Sequence, residues 1–288
     1  MQSSNTVNLP IYIARESLYT EAVRDNIPHL HASAIEIIYL TAGELECQAN
    51  DASFLLRPGD VCFINRGQLH HLYRRSASSV DEHLSLIVDP DYFFAQNTPF
   101  SALLEPLLGD AAFTHYKFSA SDYDNSAIYT HLLEVEALVA QKSCAYEFDL
   151  AARLLQIFRH LYCAYLRPCA TPLAIDADLP LQKKMLDYIA SHYSETIDVL
   201  DIAKSANLSK SKCFRLFKRY TRLTPAAYLN QYRLERAAKL LTQTTHSISS
   251  IAHSCGFSQH SYFGKLFLAN YHCTPVEYRR ALQGPSKK

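Results

Sequence analysis

Basic side chains, which can bind phosphate groups, are concentrated toward the C-terminal end of the chain. Residues 180–288 contain 17 Lys and Arg against 6 Asp and Glu, whereas residues 1–179 contain 11 against 22. The chain as a whole is formally neutral, so the overall composition hides this separation. A net charge of +11 in one part and −11 in the other favours binding of a polyanion by the basic part.

An internal repeat lies within this basic part. The segments Asp201–Tyr228 and Ser250–Tyr278 both contain an Ile-Ala pair, a short turn, a serine, a Leu-Phe pair and a Thr-Pro-x-x-Tyr ending. Such self-similarity predicts two copies of one structural unit. Four identities stand at a constant offset of fifty residues: Phe217, Thr224, Pro225 and Tyr228 match Phe267, Thr274, Pro275 and Tyr278.

Each copy contains the parts of a helix-turn-helix. In the first, Asp198 is predicted to cap a helix that ends near Ala206, and Ser209 to cap the next helix. In the second, a turn is predicted at Gly256, and Ser258 is predicted to cap the helix that follows. Apolar spacing turns one side of each later helix inward: Cys213, Leu216, Phe217 and Tyr220 in the first copy, and Phe263, Leu266 and Phe267 in the second.

The opposite side of each later helix is predicted to face solvent. It is strongly basic in the first copy and mixed in the second. A helix predicted for Pro225–Leu241 separates the two copies, because proline suits a first helical turn and the residues after it favour helix. Its length of about 26 Å could hold two helices roughly one DNA turn apart. The outward residues are Lys210, Ser211, Phe214, Arg215, Lys218 and Arg219, and then His260, Ser261, Tyr262, Gly264 and Lys265.

From Leu181 to Arg279 the sequence resembles the AraC/XylS family of bacterial transcription regulators. GFSQHSYFGKLF, followed by TPVEYR, is close to the signature of that family. The resemblance implies that the two later helices are recognition helices that enter consecutive major grooves. It assigns phosphate contacts to Lys210, Lys218 and Arg219. It assigns base contacts to Ser211, Phe214 and Arg215 in the first copy and to His260, Ser261, Tyr262 and Lys265 in the second.

Two positions depart from the family pattern at the ends of the recognition helices. The family usually has a glycine three residues before the proline of each copy, where the backbone takes a positive φ. Arg222 and His272 stand there instead. A side chain in that conformation costs about 1 kcal/mol.

The N-terminal part combines short strands with helices. Apolar residues at helical spacing predict one helix from Ile128 to Val139 and another from Leu150 to Tyr165. The fold class is therefore predicted to be α+β, with a barrel and a helical hairpin followed by an all-α part. The predicted strands are Ile35–Leu40, Leu45–Ala49, Phe54–Leu56, Val61–Ile64 and His83–Val88.

The second of these two helices is apolar on more than one face. A helix that is apolar around much of its circumference must be buried on both sides, which favours a homodimer seam over an ordinary core helix. Removing Leu154 and Phe158 is therefore predicted to give monomers. The apolar residues outside the main stripe are Phe148, Ala151, Leu155 and Tyr162.

The N-terminal part contains His29-Leu-His31, Glu36 and Gly43, and further on Gly59, Asn65-Arg66-Gly67 and His70. This spacing resembles the two cupin motifs, with Asn65 at a position where proline is usual. In metal-binding cupins, two histidines, a glutamate and a later histidine surround one divalent ion, and such donors suit iron, manganese, nickel or zinc. AraC-type sensor domains often keep the pattern without a metal, so the resemblance favours a pocket for a small organic effector, such as a sugar. Effector binding is assigned to His29, His31, Glu36 and His70, with no metal or other cofactor.

An enzyme is the main alternative to a regulator. The same four residues could serve a cupin-type metal-dependent enzyme fused to a DNA-binding module. No Ser/His/Asp order and no paired carboxylates stand elsewhere, and seven glycines leave little for a phosphate-binding loop. A sensor joined to a DNA-binding part needs no turnover, so no catalytic residue is assigned. A regulator without a ligand, controlled by a partner protein, is a further alternative.

Domain bounds and partners follow from these interpretations. Residues 1–167 are predicted to form the cupin-like effector-binding and dimerisation domain, residues 168–179 a linker, and residues 180–288 the DNA-binding domain. The expected partners are double-stranded promoter DNA, the effector and a second copy of the chain, with RNA polymerase as a further candidate. The start of the sequence lacks the basic stretch and apolar core of a signal peptide, so none is expected, and no apolar run approaches the ~20 residues that span a bilayer. We therefore expect a cytoplasmic protein without a membrane partner.

Overall fold

The protein divides into two compact units. The computed structural model describes residues 11–16, 27–74, 80–94, 98–167 and 176–283. The first unit comprises Met1–Thr20 and Leu30–Ile175, and the second comprises Glu21–His29 and Asp176–Lys288. Most of the predicted linker, residues 168–175, lies outside the described residues. No helix in the described ranges is both long and apolar enough to cross a membrane.

Two antiparallel sheets form the centre of the first unit. The strands of the described residues are β1 Ile11–Glu16, β2 Ile35–Ala42, β3 Leu45–Ala49, β4 Ala52–Leu56, β5 Val61–Ile64, β6 His70–Arg74, β7 Glu82–Val88 and β8 His115–Phe118. One sheet has five strands in the order β1-β7-β2-β5-β8, and the other has three in the order β4-β3-β6. The predicted bounds of β3 and β5 are confirmed, whereas β1, β6 and β8 were not predicted.

Side chains on opposite faces of the larger sheet pack into different cores, because successive residues of a strand point to opposite sides. On β2, Ile35 and Ile37 belong to a core shared with the helices. Ile38 and Leu40 belong to a second core, together with residues of the smaller sheet such as Leu45. The two sheets therefore pack face to face, which is the predicted barrel-like arrangement.

The described part of the first unit also contains four helices: α1 Pro90–Phe93, α2 Pro99–Gly109, α3 Tyr123–Gln141 and α4 Tyr146–Tyr165. Leu154 and Phe158 of α4 are almost fully buried in the core of this unit. Leu155 and Tyr162 pack against the same core. Their loss would damage the core itself, so a homodimer seam on α4 stays a prediction that the removal of Leu154 and Phe158 cannot test. Phe148 remains 81% exposed.

The second unit is helical, as predicted. Its helices are α5 Leu179–His192, α6 Val199–Ser205, α7 Lys210–Thr221, α8 Pro225–Gln243, α9 Ile248–Ser254, α10 His260–Tyr271 and α11 Pro275–Gln283. In the first copy, Asp198 caps α6 and Ser209 caps α7, as predicted. In the second copy, Gln259 rather than Ser258 stands at the N-cap of α10 and makes no side-chain cap bond. The cap prediction failed there because the second copy has one more residue between its serine and its helix.

Candidate nucleic-acid interface and ligand site

The first recognition helix, α7, is fixed by one buried side and presents the other to solvent. Cys213, Leu216, Phe217 and Tyr220 are at most 1% exposed, so the predicted inward stripe is confirmed. Such burial holds the helix in one rotation about its axis. Ser211, Arg215, Lys218 and Arg219 are exposed on the other side, and Phe214 is half-buried. The Lys218 ammonium donates to the carbonyl of Arg222, 3.1 Å away, at the end of the helix.

The second recognition helix, α10, presents the equivalent positions. Phe263 and Phe267 are fully buried, while Leu266 is only half-buried. The predicted residues Tyr262 and Lys265 are exposed, and the Tyr262 hydroxyl accepts a hydrogen bond from the Asn230 side chain of α8 at 3.2 Å. Further exposed residues of this helix are His260, Ser261, Leu268 and Ala269.

The buried Arg233 of α8 stabilises the second unit through hydrogen bonds to backbone carbonyls, a role that the sequence did not predict. Its guanidinium donates to the carbonyls of Tyr193 and Glu195, both at 2.7 Å. Burial lowers the pKa of this group. Gly256, with φ of +83°, comes so close that an added Cβ would lie 2.8 Å from the Arg233 Nε atom. The turn of the second copy is therefore shaped around this arginine.

Two aspartates at the start of the second unit pair with cations of α7. The Lys212 ammonium lies 2.8 Å from an Asp178 oxygen, and the Arg219 guanidinium lies 3.1 Å from an Asp176 oxygen and 3.7 Å from Asp178. The hydrogen bond from Lys212 lowers the pKa of Asp178. The Tyr220 hydroxyl also donates to Asp176. Arg219, predicted to contact phosphate, is thus engaged by carboxylates in this structure.

A buried carboxylate organises the predicted ligand site of the first unit. Glu36 of β2 is 8% exposed and accepts a hydrogen bond from Ser85 of β7. A Glu36 oxygen lies 2.8 Å from Nε2 of His70 and 3.1 Å from Nε2 of His31. These three predicted residues are therefore brought together. Ser85 was missed by sequence reasoning, because it stands 49 residues from Glu36 and meets it only through strand pairing.

The donor set fits a cation or a polar ligand. Nδ1 of His70 lies 2.9 Å from the Gln68 carbonyl and donates to it, while Nε2 lies 2.8 Å from a Glu36 oxygen, a contact that needs a proton or a cation between the two atoms. A histidine held in this way by a carbonyl is typical of metal ligands. Candidate ligand atoms of His31, Glu36 and His70 lie within 4.8 Å of one another. The arrangement could hold a divalent metal, or it could bond a hydroxyl group of an organic molecule.

His29, the fourth predicted residue, is assigned by its packing to the second unit. Its Nδ1 atom lies 3.1 Å from the Ile27 carbonyl. In the same segment, the Pro28 carbonyl accepts a hydrogen bond from the Tyr228 hydroxyl of α8 at 2.9 Å. Burial raises the pKa of Tyr228, which keeps its hydroxyl a donor. An effector-binding role for His29 stays a prediction.

Comparison with known proteins agrees with both halves of this description. Residues 202–281 match a helix-turn-helix domain family, and residues 21–81 match a cupin domain family. The chain is 26% identical over 280 residues to the uncharacterized HTH-type transcriptional regulator YdeC of Bacillus subtilis, covering 96% of this chain and 93% of that protein. It is also 26% identical to the HTH-type transcriptional activator RhaS of Salmonella schwarzengrund, covering 88% and 87%.

The fold as a whole resembles a solved structure. Fatty-acid-bound ToxT from Vibrio cholerae aligns over 100% of both chains with a TM-score of 0.52 and 14% identity, a likeness that concerns the fold alone. A cupin domain followed by two helix-turn-helix copies defines a two-domain transcription regulator. The motifs and the relatives of similar length make the chain a DNA-binding transcription regulator that resembles the AraC family.

Proposed function

We propose that the exposed sides of α7 and α10 read two neighbouring segments of promoter DNA in the cytoplasm. The observation that carries this proposal is the equivalence of the two exposed surfaces. Ser211 and Arg215 in the first copy correspond to Ser261 and Lys265 in the second, at the offset of fifty residues, and all four are exposed. Arginine and lysine at such positions can bond guanine in the major groove.

Selection of bound duplexes from a random pool tests this proposal. The full-length chain should enrich a site with two half-sites about one DNA turn apart. An Arg215→Ala/Lys265→Ala variant should lose the preference, whereas Lys184→Ala, which removes an exposed positive charge from α5, should keep it. Enrichment of no sequence by the wild-type chain would contradict the proposal.

Control by a small molecule is the second part of the proposed function. His31, Glu36 and His70, with Ser85, offer donors and acceptors inside the first unit, next to apolar residues such as Ile38. A small polar effector bound there would change DNA binding only if it has different affinities for two states of the protein. A panel of sugars and other polyols, tested by shift of the melting temperature, should identify a binder. Glu36→Gln should abolish that shift, and His131→Gln on α3 should leave it unchanged.

A metal-dependent enzyme is the alternative that one observation favours, namely the convergence of His31, Glu36 and His70. In that case these residues would hold a divalent ion, which would supply Lewis-acid chemistry. The relatives are named as regulators, so we infer a protein without turnover. Metal analysis of the purified chain separates the two functions. Stoichiometric metal together with turnover of a substrate would support the enzyme.

Dimerisation and contact with RNA polymerase belong to the same proposal. Phe148 on α4 is the exposed apolar residue that best fits a contact with a second copy, because it is 81% exposed. Phe148→Ser should lower the sedimentation coefficient toward that of a monomer without loss of melting temperature. An unchanged coefficient would remove this residue from the dimer seam.

A further inference from the structure

The ion pairs between Asp176, Asp178 and α7 lie at the edge of the proposed DNA-binding surface. Lys212 directly follows the exposed Ser211, and Arg219 directly follows the exposed Lys218. The side chains of Lys212 and Arg219 keep 33% and 39% of their surface exposed. Phosphate groups of a bound duplex could therefore reach both cations, but two carboxylates already occupy them.

The pairs change the charge that α7 presents to DNA. The helix contains five Lys and Arg and no acidic residue. Two of these five cations are neutralised by the aspartates, and partly exposed carboxylates also repel phosphate. The cost of displacing them is modest, because ion pairs near the surface are weak.

Asp176 is held in place by more than its cation. Its carboxylate also accepts from the hydroxyl of Tyr220, whose side chain is 1% exposed and part of the packed side of α7. Burial, followed by this hydrogen bond, raises the pKa of Tyr220, so the hydroxyl stays a donor. The carboxylate would therefore remain beside Arg219 even when the guanidinium turns toward a phosphate.

We propose that Asp176 and Asp178 set the DNA affinity of the first recognition helix by competing with phosphate for Lys212 and Arg219. This inference rests on the proposed function, since it presumes that α7 lies against DNA. It concerns the first copy alone. At the offset of fifty residues, Tyr262 and Ala269 stand where Lys212 and Arg219 would be, so α10 has no cations there to be held.

The test compares the wild-type chain with an Asp176→Asn/Asp178→Asn double variant. Asparagine keeps the shape of the side chain and can still accept from Tyr220, but it lacks the charge. The probe is a duplex selected by the wild-type chain from a random pool, and binding is measured by fluorescence anisotropy over a series of KCl concentrations. We expect several-fold tighter binding at low salt. Plots of log K against log [KCl] should also become steeper by up to about 1.8, because each phosphate contact contributes about 0.9.

A matched control removes the same charge from elsewhere in the second unit. Asp187 and Glu195 are both exposed, and neither is paired with α7 in the described contacts. Asp187→Asn/Glu195→Gln should leave the salt slope close to that of the wild-type chain. In an Arg219→Gln/Lys212→Gln background, the gain from the asparagine variants should disappear. An unchanged slope in the double variant, or an equal gain in the matched control, would overturn the inference.

A second measurement keeps the inference testable if the asparagine variant does not fold. In the otherwise wild-type chain, Arg219→Gln should weaken binding less than Lys218→Ala, because Arg219 is already held by carboxylates. An equal or larger loss for Arg219→Gln would count against competition. Failure of the proposed function would look different, because the wild-type chain would then select no duplex at all.

Discussion

The first recognition helix, α7, contains five Lys and Arg residues, whereas the second, α10, contains Lys265 alone. Their buried sides differ far less: Phe217 and Phe267 are both fully buried at equivalent positions. Thr224 caps α8, and Thr274 accepts from Glu277 at the equivalent place in α11. Close packing constrains the buried side of both copies, while the exposed side is free to diverge toward different contacts.

The difference between the exposed sides of α7 and α10 gives the two helices different roles in the proposed complex with DNA. Leu268, 48% exposed, stands at the position of Lys218, and Ala269 at that of Arg219. The second helix therefore offers little to phosphate groups beyond Lys265. We infer that α7 supplies most of the salt-dependent affinity and that α10 contributes chiefly through contacts that salt does not weaken.

The largest expected effect tests the equivalence of the two cores. Phe217→Ala and Phe267→Ala should each lower the free energy of unfolding by about 3–5 kcal/mol, because each removes a fully buried ring. Chemical denaturation followed by circular dichroism measures both. If one substitution costs more than about twice the other, the two copies are not packed alike.

Substitutions in the turns of the two copies should differ in their cost to stability, because only the second turn packs against an arginine. Gly256→Ala places a Cβ 2.4 Å from the Tyr193 carbonyl in a backbone with φ of +83°, so it should cost about 2–4 kcal/mol. Asn207, at the equivalent turn, has φ of +56° and is exposed. Asn207→Ala should therefore cost only about 1–2 kcal/mol, from backbone conformation alone. Equal losses in thermal melting would show that Arg233 does not shape the second turn.

Base contacts and phosphate contacts on α7 should separate in binding measurements. Arg215→Ala should lose about 1–3 kcal/mol of discrimination at one base pair, because it removes the proposed bidentate bond to guanine. Lys218→Ala should weaken binding to all sequences and lower the salt slope by about 0.9.

Leu268, which stands in α10 at the position equivalent to Lys218, provides the control for the Arg215 and Lys218 variants. Leu268→Ala should leave the salt slope unchanged, since no charge is lost. Titrations of selected and scrambled duplexes at several salt concentrations give all of these quantities. Identical behaviour of the Arg215 and Lys218 variants on every sequence would show that the assigned roles are wrong.

The smallest effect concerns the ends of the recognition helices, where the predicted strain is present in both copies. Arg222 and His272 have φ of +58° and +56°. Arg222→Gly and His272→Gly should therefore each stabilise the chain by up to about 1 kcal/mol, seen as a higher melting temperature. A lower melting temperature in either variant would mean that the side chain contributes more than its backbone conformation costs.

Local signals in the sequence determined most of the second unit. A helix start at Pro225, caps at Asp198 and Ser209, and the inward side of α7 were predicted correctly, because each depends on residues within one or two turns. The grouping of exposed residues on the recognition helices follows from helical periodicity, and the AraC-type pattern was identified by the resemblance of local motifs. The predicted cap of α10 was wrong, because one extra residue shifts the start of that helix.

Tertiary structure alone decided the contacts between residues far apart in the chain. Strand β8 became visible only through its pairing with β5, since its four residues have no clear alternation. Ser85 meets Glu36, and Asp176 meets Arg219 across 43 residues. Sequence spacing cannot report such pairs, because they form only after strands and helices have packed. The sequence therefore determined which side chains are available for DNA and ligand, and packing decided which of them are already held by another group.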